Sequence, residues 1–569
     1  MELFCDLAKI AVNRELISEK CEKGKWLSVD YETKLGAGKL LAASEEDYPA
    51  PVVLDLNLTG WYKLYIGLFN MRGDNVIYTK LSDDKEYGIL RHTGLGCPKH
   101  WCKTEYMEEV YWRCADLTGQ RLILAKPKLY IPTVSGLAWI RCEEMSEEEV
   151  ARYKACLEKP NKCVQMHYDV DAFFEDQSQE KTKHFAEISM LKNTSTDFVS
   201  VEYCLLYDNE TDEPYFPMRR SELSLRTGKF KDTDAILREY VKWGKENGIP
   251  LYATERMSMA NFAAPYFFSN LRKRFIANHP QYYCRTRDGR TVNACSYAYE
   301  AVWDYVIANM LRMVEMGFDG ISMIMHRGVH IAFEQPVLDR FAELYPEIDP
   351  RQLPITDRRL NGVWCEFITG FLRRLRAKLD AAFDKHIPVN AITAYSIEMA
   401  RRVGLDLVTW AKEGLVDSIS QGDMEVYEDL TDCMSDSDSS LIDLEKYSNR
   451  LKDCPVIRRS SGHIEKTCEY IQEFLALEEA YGVKVYNILP WVECIPVGDY
   501  KVWVEKMQQL GAKRFLSYNT NHIACVLPEF HVVSSLGNDP GVEATLQKYY
   551  RVLSFGGSDI SQYNANWRG

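Results

Sequence analysis

The segment "CVQMHYDVDAFF" sets His167, Asp169 and Asp171 at alternate positions. Residues two apart on a strand share a face, so an imidazole and two carboxylates would stand together. Such a set could bind sugar hydroxyls, orient a proton-carrying His, or hold a divalent metal that activates water. A second segment, "GFDGISMIMHRGVHIAFEQPVLDRF" (317–341), passes from apolar residues into His326, Arg327, His330 and Glu334. Other strand-like runs also end in polar groups. "DFVSVEYCLLYD" carries Glu202, "IPLYATERMS" carries Glu255 and Arg256, and "IPVNAITAYS" leads to Tyr395 and Glu398. Further along stand Asp423, Glu425, Arg458, His463, Trp491, Glu493, Tyr518 and Asn519.

Several carboxylates among aromatic residues suit hydrolysis of a glycosidic bond. That reaction takes a protonated acid on the leaving oxygen and a second carboxylate, as nucleophile or as base for water. Burial raises the pKa of the acid, and a nearby Arg keeps the other group ionised.

These groups need a scaffold that gathers strand ends. From about residue 162 the pattern alternates strand and helix, with helices ending in "GIP", "GF", "HIP" or "GV" before the next strand. Such alternation implies parallel strands with crossover helices. Residues 162–530 are expected to form a (β/α)8 TIM barrel, whose active site lies at the C-terminal ends of its strands. Nine strand candidates compete for eight places, and "CPVIRRSSGH" is the weakest. Asp319 falls at the opposite end, where residues serve stability. Residues 1–150, with alternating runs such as "PVVLDLNLTGWYKLYIGLF", read as a β-sandwich. A charged helical connector (151–161) joins it to the barrel. Residues 531–569 form a C-terminal extension packing on the barrel or sandwich. The fold class is therefore α/β: a TIM barrel preceded by a β-sandwich.

The 569 residues are 46% hydrophobic and 27% charged, with a net charge of −14. That balance argues against nucleic acid, whose phosphates require clustered Lys and Arg. No run of about 18 apolar residues suggests a membrane span. The start "MELFCDLAKIAVNREL" lacks the features of a signal peptide. The 17 cysteines then read as reduced thiols in the cytoplasm. "CPKHWC" (Cys97, His100, Cys102) lacks a second ligand pair for zinc. No cofactor is expected.

Longer stretches resemble a known group. "SYAYEAVWDYVIANMLRMVEMGFDGISMIMHRGVHIAFEQPVLDRFAELYPEIDP" resembles the glycoside-hydrolase-like barrels related to glycoside hydrolase family 10. The matching residues are Ser296 to Tyr299, Gly317, Asp319, Gly320, Arg327, Phe333, Glu334, Pro336 and Val337. "GLDLVTWAKEGLVDSIS" is similar to a later helix and strand of that family, with Trp410, Glu413, Gly414 and Asp417. "LDLNLTGWYKLYIGLF" is similar to the jelly-roll module that often precedes such barrels. The resemblance implies carbohydrate hydrolysis. It departs at Ile324, where better-known branches carry an Asp on the fourth strand.

The expected site has Glu334 and Glu255 as the carboxylate pair, with their acid and nucleophile or base roles open. His167, Asp169, Glu202, His326, Arg327, Tyr395, Glu398, Trp491 and Asn519 would bind the sugar. Two alternatives remain. One is a metal-dependent hydrolase or lyase using His167, Asp169 and Asp171. The other is a carbohydrate-binding protein without turnover. A homodimer or higher homo-oligomer is also expected.

Overall fold

The computed structural model describes residues 1–43, 48–69, 76–84, 87–91, 106–126, 135–158, 161–169, 191–192, 194–203, 233–257, 274–325, 330–422, 463–489, 497–518 and 548–555. Eight strands close a parallel barrel. In chain order they are Val164–Asp169, Thr196–Glu202, Leu251–Arg256, Gly320–Ile324, Val389–Ile392, Ser418–Gln421, Lys484–Ile488 and Phe515–Ser517. The eighth strand pairs in parallel with the first and completes the ring. With its outer helices this is the expected (β/α)8 architecture. The barrel closes without "CPVIRRSSGH": His463 of that stretch opens the helix His463–Tyr481, and the rest of it lies outside the described residues.

Each strand alternates between two environments, as a pleated strand must. Met166, Val199, Val201, Ala253, Ile321, Met323 and Val389 join the large outer core. They meet the helix Glu300–Met316 through residues such as Val306, Met310 and Met313, and the helix Arg358–Ala382 through Ile368 and Phe371. Facing inward, Phe198, Tyr252, Ile324, Ile392, Tyr486, Ile488, Leu516 and Tyr518 form a separate apolar cluster.

Helix ends are fixed by local chemistry. Asp357 accepts the Arg359 amide, Ser396 accepts that of Met399, and Asp406 accepts that of Thr409. Gly317 terminates Glu300–Met316 at φ 115, where a side chain would be strained. Asp319 and Asp417 repeat one device at the quiet end of the barrel. Each precedes its own strand and accepts the first amide of the preceding strand, Leu251 N at 3.0 Å and Val389 N at 2.8 Å.

The N-terminal part contains two sheets. The smaller runs Val52–Leu54, Leu122–Ala125, Val76–Leu81, Gly88–Arg91. In the larger, Ser135–Glu144, Gly36–Ala43, Trp26–Thr33, Lys548–Phe555, Tyr106–Asp116 and Trp61–Phe69 pair in sequence, and the last pairs again with the first. This cycle returns on itself and takes in a strand from the far end of the chain. Leu27, Val29, Tyr31, Leu40, Phe69, Met107 and Trp139 make one cluster on it. Gly67 is required there, since a Cβ would stand 2.1 Å from the Trp139 ring. The same region buries Glu109, which takes a two-pronged pair from Arg141 (3.0 and 2.7 Å) and the Trp139 indole N–H at 3.0 Å. The helix Glu147–Glu158 leads from this unit toward the barrel.

Candidate active site

Inward positions can be followed strand by strand. On the first strand Val164, Met166 and Tyr168 belong to the outer core, so Gln165 and His167 face the lumen. On the second, Phe198 joins the inner cluster, so Ser200 and Glu202 follow it inward. On the third, Tyr252 joins that cluster, which places Thr254 and Arg256 on the same side.

The middle of the lumen is crossed by a polar belt. Gln165 Nε2 donates to Ser200 Oγ at 3.2 Å and to Asn390 Oδ1 at 3.1 Å. Ser420 Oγ donates to Gln165 Oε1 at 2.5 Å. Ser322 Oγ donates to Asn390 Oδ1 at 2.8 Å, and Asn390 Nδ2 donates to Ser418 and Ser420, both at 2.9 Å. A mutually bonded belt of this kind gives a rigid floor, because every displacement would orphan a buried polar group.

Above the floor, at the C-terminal strand ends, Glu202 is the centre. Its Oε1 lies 2.7 Å from Arg256 Nη2, and its Oε2 lies 3.7 Å from His167 Nε2. The side chains of Glu202, Arg256 and His167 are 1%, 10% and 0% exposed. Tyr518, the residue just after the eighth strand, stacks flat on the His167 ring, with centroids 4.3 Å apart and planes 4° from parallel. Strands eight, one, two and three thus build a polar side of the mouth. Strands four, five and seven contribute Ile324, Ile392 and Ile488.

The expected carboxylate pair stands elsewhere. Glu255 shares the parity of Leu251, Ala253 and Met257, and its register partner is Met323, all members of the outer core. It is fully buried on the helix-facing side of its strand. Glu334 follows the fourth strand and heads the helix Gln335–Leu344. Its carboxylate accepts the Arg285 amide at 3.0 Å and the Ala332 amide at 2.9 Å. Burial pushes its pKa up, opposed by those amides and by Ser296. Beside it, burial and the Glu334 charge push the Cys284 thiol well up. Glu334 therefore fastens the hairpin of Tyr283–Arg285 and Thr291–Cys295 to the loop after the fourth strand. Neither carboxylate belongs to the inward face that carries Glu202.

The remaining predicted residues divide as follows. His167 and Glu202 meet in the lumen. Asp169 ends the first strand and is the register partner of Glu202. Tyr395 is fully buried, and its carbonyl accepts Gln421 Nε2 at 2.9 Å. Glu398 sits on the first turn of Ile397–Arg402, with Arg358 at 3.6 Å and Arg402 at 3.9 Å. It acts between helix surfaces rather than in the mouth. His326, Arg327, Trp491, Asn519 and Asp171 lie outside the described residues. Among the described residues no group of three or more His, Cys, Asp or Glu is arranged to hold a metal ion. No described helix is long and apolar enough to cross a membrane.

Arg256 and Tyr518 stand among the polar strand-end candidates but outside the expected site, and the Gln165–Asn390 belt is not among the candidates. The signal for them is alternation within an apolar run. In "VQMHYD" and "LYATER" the inward set is Gln165, His167, Thr254 and Arg256, which excludes Glu255.

No family model matches the chain, and no curated protein matches it either. Solved structures with barrel domains do. The glycoside hydrolase domain of PgaB (BpsB) from Bordetella bronchiseptica is 11% identical, with a TM-score of 0.41 over 66% of this chain and 98% of that one. The catalytic domain of β-amylase from Paenibacillus polymyxa is 11% identical, with a TM-score of 0.41 over 68% and 98%. The α-galactosidase of Thermus thermophilus is 9% identical, with a TM-score of 0.34 over 90% and 95%. At these values the similarities decide nothing about chemistry, which has to be argued from the residues of the mouth.

Proposed function

We propose that the barrel mouth hydrolyses an O-glycosidic bond, with Glu202 as the carboxylate that acts at the anomeric carbon. The observation that carries this reading is a buried, inward-facing carboxylate at a strand end, clamped by Arg256 and flanked by His167. A carboxylate held by an Arg suits the part of nucleophile or base rather than of acid. The flat His167–Tyr518 stack would set the edge against which sugar hydroxyls bind. This reading takes the carboxylate role away from the expected Glu334 and Glu255. The ligand is a carbohydrate, and no cofactor enters the proposal.

Buried free thiols at Cys142, Cys163 and Cys365, each pushed up to about 12 by burial, support residence in a reducing compartment such as the cytoplasm. The substrate would then be a glycoside or oligosaccharide already inside the cell.

A second reading, carbohydrate binding without turnover, is favoured by one observation. Ile324, where the resemblance leads one to look for an Asp, is fully buried in the apolar inner cluster. Screening a glycoside library for turnover and for binding separates the two. Turnover that Glu202→Gln abolishes supports hydrolysis. Saturable binding with no turnover of any bound glycan overturns it in favour of the second reading.

A further inference from the structure

We infer that the sugar bound in the mouth is a 6-deoxyhexose, an assignment that rests on the hydrolytic reading of Glu202. The mouth has two unlike halves. One carries Glu202 with Arg256 at 2.7 Å and His167 at 3.7 Å. On the other half the described strand residues give no hydrogen-bonding side chain at that level. Ile324 is the register partner of Arg256, and Ile392 is the register partner of Ile324. Ile488 joins both in the inner cluster, together with Tyr518. On the sixth strand Ser420 is bonded into the belt, and two positions past it stands Gly422, which has no side chain to offer. The polar groups beneath are engaged with one another, Asn390 with Gln165, Ser322, Ser418 and Ser420. The three isoleucines are buried, so a sugar hydroxyl set against them would meet neither a strand partner nor bulk water.

The geometry of a pyranose decides which part of the sugar meets which half. Glu202 acts at the anomeric carbon, C1, and the hydroxyl on the adjacent C2 strengthens its hydrogen bonds in the transition state. Both belong over the charged half. Across a six-membered ring the C1–C2 bond is opposite the C4–C5 bond, so the substituent on C5 turns toward the isoleucines. That substituent is a hydroxymethyl group in a hexose, a carboxylate in a uronic acid, a hydrogen in a pentose and a methyl group in a 6-deoxyhexose. The hydroxyl of the first would be left unpaired. The carboxylate would lose its hydration without a counter-charge. The hydrogen would leave the wall without contact. The methyl group is apolar and fills the space, and it gains from burial.

The test measures kcat/KM of the full chain on 4-nitrophenyl glycosides that differ only at C5. The matched pairs are glucoside with quinovoside, galactoside with fucoside and mannoside with rhamnoside, in both series and both anomers, beside the corresponding pentosides and uronosides. In the series that is turned over, the 6-deoxy glycoside is expected to exceed its counterparts by about 10-fold or more. Ile324→Thr and Ile392→Thr each place a hydroxyl in the wall and should narrow the preference over the hexoside, whereas Ile324→Val should keep it. The wild-type ratio needs no variant and stands as a test even where a Thr variant folds poorly. A hexoside, pentoside or uronoside turned over as fast as its 6-deoxy counterpart overturns the inference, as does turnover confined to other sugars or a ratio unchanged in both Thr variants. Should Glu202→Gln still abolish turnover in those cases, only this inference fails. A wild type that turns over no glycoside defeats the hydrolytic reading and this inference with it.

Discussion

Replacing Arg256 by Met should reveal how Glu202 is held. Arg256 Nη2 stands 2.7 Å from Glu202 Oε1, and the side chains are 10% and 1% exposed. Taking the charge centres as about 4 Å apart and an effective dielectric of about 20, their attraction is about 4 kcal/mol. Removing one partner of a buried pair costs about 3–5 kcal/mol, because the other charge loses its compensation. The loss depends on pH with a definite sign. Without Arg256, burial favours the neutral acid form of Glu202, so its folded-state pKa lies above the unfolded value of about 4.3. A group of that kind imposes no cost below about pH 4 and a growing cost as pH rises through its folded pKa. The deficit of Arg256→Met against wild type is therefore smallest near pH 4 and reaches about 3–5 kcal/mol at pH 7.5. Urea unfolding at both pH values measures it, with Arg256→Lys as the variant that keeps the charge. A deficit below about 1 kcal/mol at pH 7.5, or one equal at the two pH values, refutes the argument.

Further outcomes follow from other parts of the molecule. Burial raises the Glu334 carboxyl, so its contribution to stability is full below the unfolded pKa and is lost as pH rises through the folded one. Thermal midpoints from pH 4.5 to 8 should fall more steeply with pH in wild type than in Glu334→Gln. Gly67→Ala should cost about 1–3 kcal/mol, since the added methyl meets the Trp139 ring and must displace it; calorimetry checks the size. Deleting residues 548–569 removes the strand between Trp26–Thr33 and Tyr106–Asp116 and bares two sheet edges. Size-exclusion chromatography should then show aggregation, and a monodisperse product with an unchanged midpoint would contradict the ring.

The barrel was legible because its signals are local. Most strands are short apolar runs preceded by a helix-ending Gly or Pro, though Thr196–Glu202 has neither before it, and eight of the nine strand candidates form the barrel. The N-terminal ring was not legible, since its pairing of Lys548–Phe555 with Trp26–Thr33 joins the two ends of the chain. Reading the site by strand end alone was too coarse. Glu255 and Arg256 are neighbours at the same end, yet the pleat sends them to opposite sides. Glu334 misled for a different reason. Its carboxylate is held mainly by main-chain amides, one of them from Arg285, 49 residues away in sequence, and amides leave no mark on residue type. The pairing of Glu202 with Arg256 was visible only once the two strands were known to be adjacent.

The central claim is that Glu202 acts chemically in the mouth of the barrel. Its most direct test is kcat for wild type and Glu202→Gln on a glycoside that wild type turns over, together with the binding of that glycoside to both. The account predicts a fall in kcat of about 10²–10⁴-fold with the glycoside still bound. A Glu202→Gln variant that turns over as fast as wild type would contradict it.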